Sequence, residues 1–249
     1  MKALIARVVY PEAKSIKSIV DSLAKLVDEV AIIVSNEGLS LKALDPARVA
    51  LIEVILPSTS FLEYEVNEET TIGMSMANLS KLLTRLKKGD RFELFVKEDY
   101  VGITIHAAVK RTYRFKNLEV QVPEIPEASL EFSVEAQVLA DAIKQAIKDA
   151  ETVGDTLEFE AKDDQALFMR GVGGTIAETK LTREMPALID LVVKEPAKSA
   201  YSIEYLKNVV ALTKIAEATT IKFSSDAPVY LEFSLAGEGR VKFLLAPKA

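Results

Sequence analysis

Cysteine is absent from this 249-residue sequence. Disulfide scaffolds and thiolate-held metals are therefore excluded. Histidine occurs once, as His106, which leaves multi-histidine metal centres and Ser-His-Asp triads with almost nothing to build on. His106 closes the run VGITIH and reads as an ordinary strand residue. No run is long and apolar enough to span a bilayer. The opening MKALIARVVYPEAK lacks the apolar stretch and small-residue cleavage site of a signal peptide, so a cytoplasmic location is expected. Asparagine and glutamine are sparse beside many lysines and glutamates, a composition that leans toward a thermophile.

Catalytic motifs are missing too. Gly171-Val172-Gly173-Gly174 is neither G-x-G-x-x-G nor a Walker A loop, and no helical pattern follows it. It reads as a hairpin turn. The acidic pairs Asp163-Asp164 and Glu68-Glu69 lie in turn-like segments and read as solvated loop charges. No nucleophile, base and oxyanion donor come together. The expectation is a protein that is not an enzyme, with no catalytic residue, cofactor or metal.

What is present is a chain with 49% hydrophobic and 27% charged residues. That supports one large core or two of ordinary size. The net charge of −6 argues against nucleic-acid binding in bulk, so local faces have to be read separately.

Helical periodicity appears four times. From about Lys14 to Asp28, the residues Ile16, Ile19, Val20, Leu23, Leu26, Val27 and Val30 share a face. Lys14, Lys17, Ser18, Asp21 and Lys25 lie opposite. From about Met76 to Leu86, Met76, Leu79, Leu82, Leu83 and Leu86 form the apolar stripe, with Asn78, Lys81, Arg85 and Lys88 across from it. From about Val138 to Ala150, Leu139, Ile143, Ala146 and Ile147 are the inward set, with Asp141, Lys144, Gln145 and Lys148 outward. From about Ile203 to Ala216, Tyr205, Leu206, Val209, Val210 and Leu212 point inward; Glu204, Lys207, Ala211 and Lys214 point out.

Most other segments read as short strands, including a hairpin in VAIIVSNEGLSLKAL with its turn at Asn36-Glu37-Gly38. Many strands with few helices predict an α+β fold, its antiparallel sheets covered on one face by helices. The order helix, strands, helix, strands occurs twice, which predicts two similar domains, 1–116 and 129–249. Between them, residues 117–128 carry Pro123 and Pro126, which impose extended backbone on their neighbours. This strip reads as a strap, not a floppy linker. If all four helices line one surface, their basic faces sum to a patch suited to a phosphate backbone, with no base-reading chemistry. The last residues, FLLAPKA, read as a strand followed by a tail that Pro247 keeps out of the ladder.

The segment GLSLKALDPARVALIEV, Gly38 to Val54, contains Ala43-Leu44-Asp45 and then Arg48-Val49-Ala50-Leu51. It resembles a signature of the sliding clamps of the proliferating cell nuclear antigen family, in the archaeal two-domain form. EIPE at Glu124–Glu127 is similar to the family's interdomain connector, and LAPK at Leu245–Lys248 to its tail. SKLL in the second helix and DAPVYLEF also fit, so the resemblance runs the length of the chain in order.

The resemblance implies a DNA clamp fold: three subunits closed head to tail, helices lining a hole around duplex DNA, and sheets outside. It implies a processivity factor for DNA polymerase that also tethers flap endonuclease and DNA ligase and is opened by a clamp loader. Partner peptides would dock at Leu44, Arg48, Val49, Leu51, Pro123, Ile125, Pro228, Leu244, Ala246 and Pro247. Lys17, Lys81 and Lys148 match basic positions of the family's lining helices; Arg85, Lys88, Lys144, Lys207 and Lys214 join them on helical geometry alone. Ser18, Ala24 and Thr84 stand where many relatives place lysine. The ring seams would pair Lys110–Lys116 with Thr175–Leu181, bringing Arg111, Tyr113 and Arg114 toward Thr175 and Glu178. Homotrimer and heterotrimer both remain open, as does an interaction scaffold that never encircles DNA.

Overall fold

The computed structural model describes residues 3–125 and 130–248. Pro126 and Glu127 of the strap lie outside the described residues. In chain order the first half runs β1 (Leu4–Tyr10), α1 (Ala13–Leu23), β2 (Glu29–Val34), β3 (Gly38–Leu44), β4 (Ala50–Pro57), β5 (Glu63–Val66), β6 (Thr70–Ser75), α2 (Met76–Leu82), β7 (Arg91–Lys97), β8 (Tyr100–His106) and β9 (Arg111–Phe115). The second half repeats it: β10 (Val134–Leu139), α3 (Ala140–Val153), β11 (Gly154–Ala161), β12 (Ala166–Gly173), β13 (Ile176–Thr182), β14 (Leu188–Val193), β15 (Ala197–Ser202), α4 (Ile203–Leu206), β16 (Ala218–Phe223), β17 (Val229–Ser234) and β18 (Arg240–Leu245).

The chain divides into two compact units. The first holds the described residues up to Pro46, then Glu53–Glu124 and Leu235–Arg240; the second holds Ala47–Ile52, those from Ile125 to Ser234, and those from Val241 on. Sheet order repeats as well. The first unit has the order β5-β1-β7-β8-β9 and the order β6-β2-β3-β4, the last strand from Glu53 onward. The second has β14-β10-β16-β17-β18 and β15-β11-β12-β13. The strand pairs are antiparallel.

Alternation drives these strands. β10 buries Val134, Ala136 and Val138 and exposes Glu135, Gln137 and Leu139. In the second unit Phe159 meets Tyr201 and Phe223 with ring centroids 5.7 and 5.8 Å away. The Tyr201 hydroxyl, buried with them, donates to Ala227 O at 2.7 Å. Helix α3 lies close on β12 because position 171 has no side chain: a Cβ there would sit 2.4 Å from Ala150 Cα. The turn expected over Gly171–Gly174 is shorter than that: Gly171, Val172 and Gly173 belong to β12, and the β12–β13 hairpin closes through Gly174 and Thr175.

The helices depart from expectation at their ends. α1 stops at Leu23, not Asp28, in a turn where Leu26 N donates to Leu23 O. Ser18, expected outward, is buried at 8% exposure: a hydroxyl small enough to fit a packed face overrides its polarity. α3 starts at Ala140, so Leu139, expected in the core, ends a strand and is 40% exposed. α2 passes into a 3-10 turn at Leu83–Arg85. The fourth helix is only four residues, followed by 3-10 turns at Lys207–Val209 and Leu212–Lys214. Two adjacent β-branched residues, Val209 and Val210, weaken it, and Thr213 Oγ1 bonds back to Val210 O.

His106 does more than an ordinary strand residue. Its Nε2 meets Glu93 Oε2, and Arg7 Nε donates to Glu93 Oε1 at 3.0 Å. Burial pushes the Glu93 carboxyl up, but the hydrogen bonds and charges of His106 and Arg7 outweigh it and hold the group below the usual carboxylate range. A depressed folded value means stability that is present above the unfolded carboxylate pKa and lost as pH falls through the folded one. Glu93→Gln is expected to lower stability at pH 7 by about 2 kcal/mol, with the gap to the parent closing toward pH 3. Melting both proteins across pH 3–7 checks this; a gap that persists in acid would show that the charge is not the cause.

Candidate nucleic-acid and partner interfaces

In each unit the helical segments adjoin: α1 packs beside α2, and α3 beside α4. The cations on them are not equivalent. Lys81, Arg85 and Lys88 are exposed, and Lys87, which falls off the i, i+3, i+7, i+10 register of that face, is exposed beside them. Lys17 pairs with Asp21, whose other oxygen accepts from Ser80 Oγ at 3.0 Å. Lys144 pairs with Asp141, and that hydrogen bond, ahead of the charges of Lys144 and Lys148, holds the Asp141 carboxyl below its usual range. Lys207 Nζ lies 2.7 Å from Glu151 Oε1. Lys148 and Lys214 are exposed.

The tail folds back on its own unit. Ala246 N donates to Val49 O at 2.8 Å and Lys248 N to Ala200 O at 2.7 Å. The Lys248 ammonium reaches Asp155 Oδ1 at 2.8 Å and Thr156 Oγ1 at 2.7 Å, and its hydrogen bond is the first cause holding the Asp155 carboxyl below the usual range. Leu244 stands between buried Phe243 and Leu245, hence on the face away from the core; Leu51 does the same between Ala50 and Ile52. Val49, Ile125, Pro228, Ala246 and Pro247 are half-buried in this second unit, and Arg48 is exposed. Arg48 also holds φ at 59°, the left-handed region that a non-glycine residue enters only at a cost of order 1 kcal/mol. Leu44 and Pro123 are half-buried in the first unit.

The strap begins pinned to β6. Leu118 N donates to Gly73 O at 3.2 Å, and Gly73 N donates to Asn117 Oδ1 at 2.8 Å. Asn117 Nδ2 reaches Thr71 O at 3.5 Å. Sequence reading saw the prolines of this strip but not Asn117, whose side chain does the anchoring.

The two segments expected at ring seams are sheet edges. β9 ends its sheet beside β8, and β13 ends its sheet beside β12. Arg111 and Tyr113 are half-buried, and Arg114 is exposed with its guanidinium 5.3 Å from the Tyr100 ring centre. Thr175 lies exposed in the turn ahead of β13. Glu178 is already engaged: Arg170 Nε donates to it at 2.6 Å. Two large apolar residues that periodicity did not single out are open here, Ile176 at 65% and Val109 at 70% exposure. Among the described residues no group of three or more acidic or histidine side chains is placed to hold a metal ion, and no helix is long and apolar enough to cross a membrane.

Two topologically matched units, each of two antiparallel layers and two helical segments, define the DNA clamp fold. The sequence descriptions of the proliferating cell nuclear antigen N-terminal and C-terminal domains match residues 6–129 and 124–248. The chain belongs to the proliferating cell nuclear antigen family. It is 44% identical over 241 residues to DNA polymerase sliding clamp 1 of Aeropyrum pernix, covering 95% of this chain and 97% of that one. It is 39% identical over 243 residues to the DNA polymerase sliding clamp of Pyrococcus furiosus, covering 97% of each. The solved clamp of Thermococcus kodakaraensis superposes with a TM-score of 0.91 at 31% identity, covering 98% of this chain and all of that one. A chain of the PCNA2–PCNA3 complex of Sulfolobus tokodaii gives 0.92 at 26% identity, covering 97% and 99%.

Proposed function

We infer that the chain is one subunit of a three-membered sliding-clamp ring that encircles duplex DNA as a polymerase processivity factor. The observation that supports the ring is that β9 in one unit and β13 in the other, the segments expected at the seams, each end their sheet. Two different edges on one chain make a heterologous contact, which closes into a ring when its rotation allows. Helices facing the hole would meet phosphates through Lys17, Lys81, Arg85, Lys88, Lys144, Lys148, Lys207 and Lys214, without reading sequence. Residues 117–128 would serve as connector between domains 1–116 and 129–249. Polymerase, flap endonuclease and ligase would dock short peptides beside the connector and tail, a loader would open the ring, and the ring itself would do no chemistry. Its place of work would be the prokaryotic cytoplasm, on DNA.

Light scattering after size exclusion at several micromolar tests assembly. A particle of three chains is expected if the subunit closes on itself. A stable monomer would mean that related chains complete the ring, a reading favoured by the mixed complex among the structural neighbours.

The tail contacts also bear on docking. With Lys248 tied to Asp155, the segment Ala246–Lys248 is held extended before any peptide arrives, so less ordering remains to be done on binding. Asp155→Asn is expected to weaken a client peptide two- to fivefold and to speed exchange of the Lys248 amide. Unchanged exchange and unchanged affinity would show the contact to be idle.

A further inference from the structure

The cations expected to meet DNA are distributed unequally between the two units. Between Met76 and Gly89 the sequence carries Lys81, Arg85, Lys87 and Lys88 and not one acidic residue. All four side chains are exposed, and none has an ion-pair partner among the described residues. The helical segments of the second unit are built differently. Helix α3 sets Lys144 and Lys148 among Asp141, Asp149 and Glu151, so acids outnumber lysines. Asp141 holds Lys144, and Glu151, from the last turn of the same helix, holds Lys207 of the next helical segment.

A lysine bonded to a carboxylate presents little net charge to a phosphate. To contact DNA it must give up its partner, and it displaces correspondingly fewer counterions. An unopposed cation gives its full contribution. The steepness of salt dependence should therefore come mainly from one segment per subunit.

We propose that duplex DNA is gripped mainly through the Lys81–Lys88 segment of the first unit, while Asp141 and Glu151 act as built-in phosphate competitors that mute Lys144 and Lys207 of the second, leaving Lys148 and Lys214 as its open cations. This rests on the clamp reading above. Such a ring would carry three strong contact patches alternating with three weak ones. Weak patches limit total affinity, and limited affinity suits a protein that must move along the duplex instead of sitting on it.

The test is a salt titration of binding to a short linear duplex of random sequence, by fluorescence anisotropy, using the assembled protein. Three variants are compared: Lys81→Gln/Arg85→Gln/Lys88→Gln, Lys144→Gln/Lys148→Gln/Lys207→Gln, and Asp141→Asn/Glu151→Gln. All change exposed or half-exposed side chains, and melting curves with light scattering confirm that fold and assembly persist. The first set is expected to weaken binding at least tenfold and to flatten the log–log salt slope by about 2 to 3, close to 0.9 per lost phosphate contact. The second should weaken it only two- to threefold. The third should tighten it several-fold and steepen the slope. Equal losses in the two lysine sets, or no gain from the acid pair, would overturn the uneven grip while leaving DNA contact intact. If neither lysine set weakens binding, the DNA-encircling reading fails along with it.

Discussion

Replacing Ile176 by aspartate should break the ring into free subunits at low micromolar concentration. Ile176 is 65% exposed at the start of edge strand β13, and its cross-strand partner Val172 is 38% exposed. At those exposures neither adds much to the core of its own unit, and an apolar pair on an open strand edge fits the proposed subunit interface. Across a seam made with β9, the half-buried Tyr113 and the exposed Val109 would supply the matching apolar surface. Burying an isoleucine is worth about 1.5–3 kcal/mol. Putting a charge in its place adds a desolvation cost, so a loss near 3 kcal/mol per seam, or roughly a hundredfold, is expected. Within the subunit the change is at the surface and should move stability by no more than about 0.5 kcal/mol. Light scattering and a melting curve on the same sample separate the two effects. An intact trimer would place the seam elsewhere.

Gly73→Ala is expected to cut client-peptide affinity at least tenfold while leaving the subunit folded. Gly73 lies within β6, where the strap crosses it. A Cβ at this position would fall 2.1 Å from Leu118 O and 2.8 Å from Val120 Cγ2, distances that only a shift of the strap can relieve. The shift would cost the Leu118–Gly73 and Gly73–Asn117 hydrogen bonds, about 1 kcal/mol each. The strap leads directly to Pro123 and Ile125, two proposed docking positions. Calorimetry with a client peptide, alongside a melt, checks the prediction. Unchanged affinity in a folded variant would show that the strap's start does not position the site.

Patterns that depend on near neighbours were legible in the sequence. The alternation of β10, the stripe of Met76, Leu79 and Leu83, and the two-fold order of elements all follow from local periodicity. Helix ends were less legible, because α4 is broken by Val209-Val210 and a threonine back-bond that an apolar stripe does not reveal. Partner choice was illegible wherever it is made across the fold. Arg170 reaches Glu178 from the neighbouring strand, Glu93 gathers Arg7 and His106 from two others, and Glu151 claims Lys207 from 56 positions away in sequence. For the same reason a count of outward lysines did not reveal that Lys144 and Lys207 each hold a carboxylate. Ile176 and Val109, now proposed for the seam, escaped notice because one isolated apolar residue at a strand start and one in a loop carry no period.

Topological linkage to DNA is the central claim, and retention on circular DNA tests it most directly. The clamp would be assembled on nicked circular duplex by its loader, then passed over a sizing column before and after a single restriction cut. Co-elution with the circle at a salt concentration that abolishes binding to linear duplex, followed by loss of the protein once the circle is cut, is the expected result. Retention that is indifferent to the cut, or no retention on the circle, would contradict encirclement and leave a docking scaffold that works beside DNA.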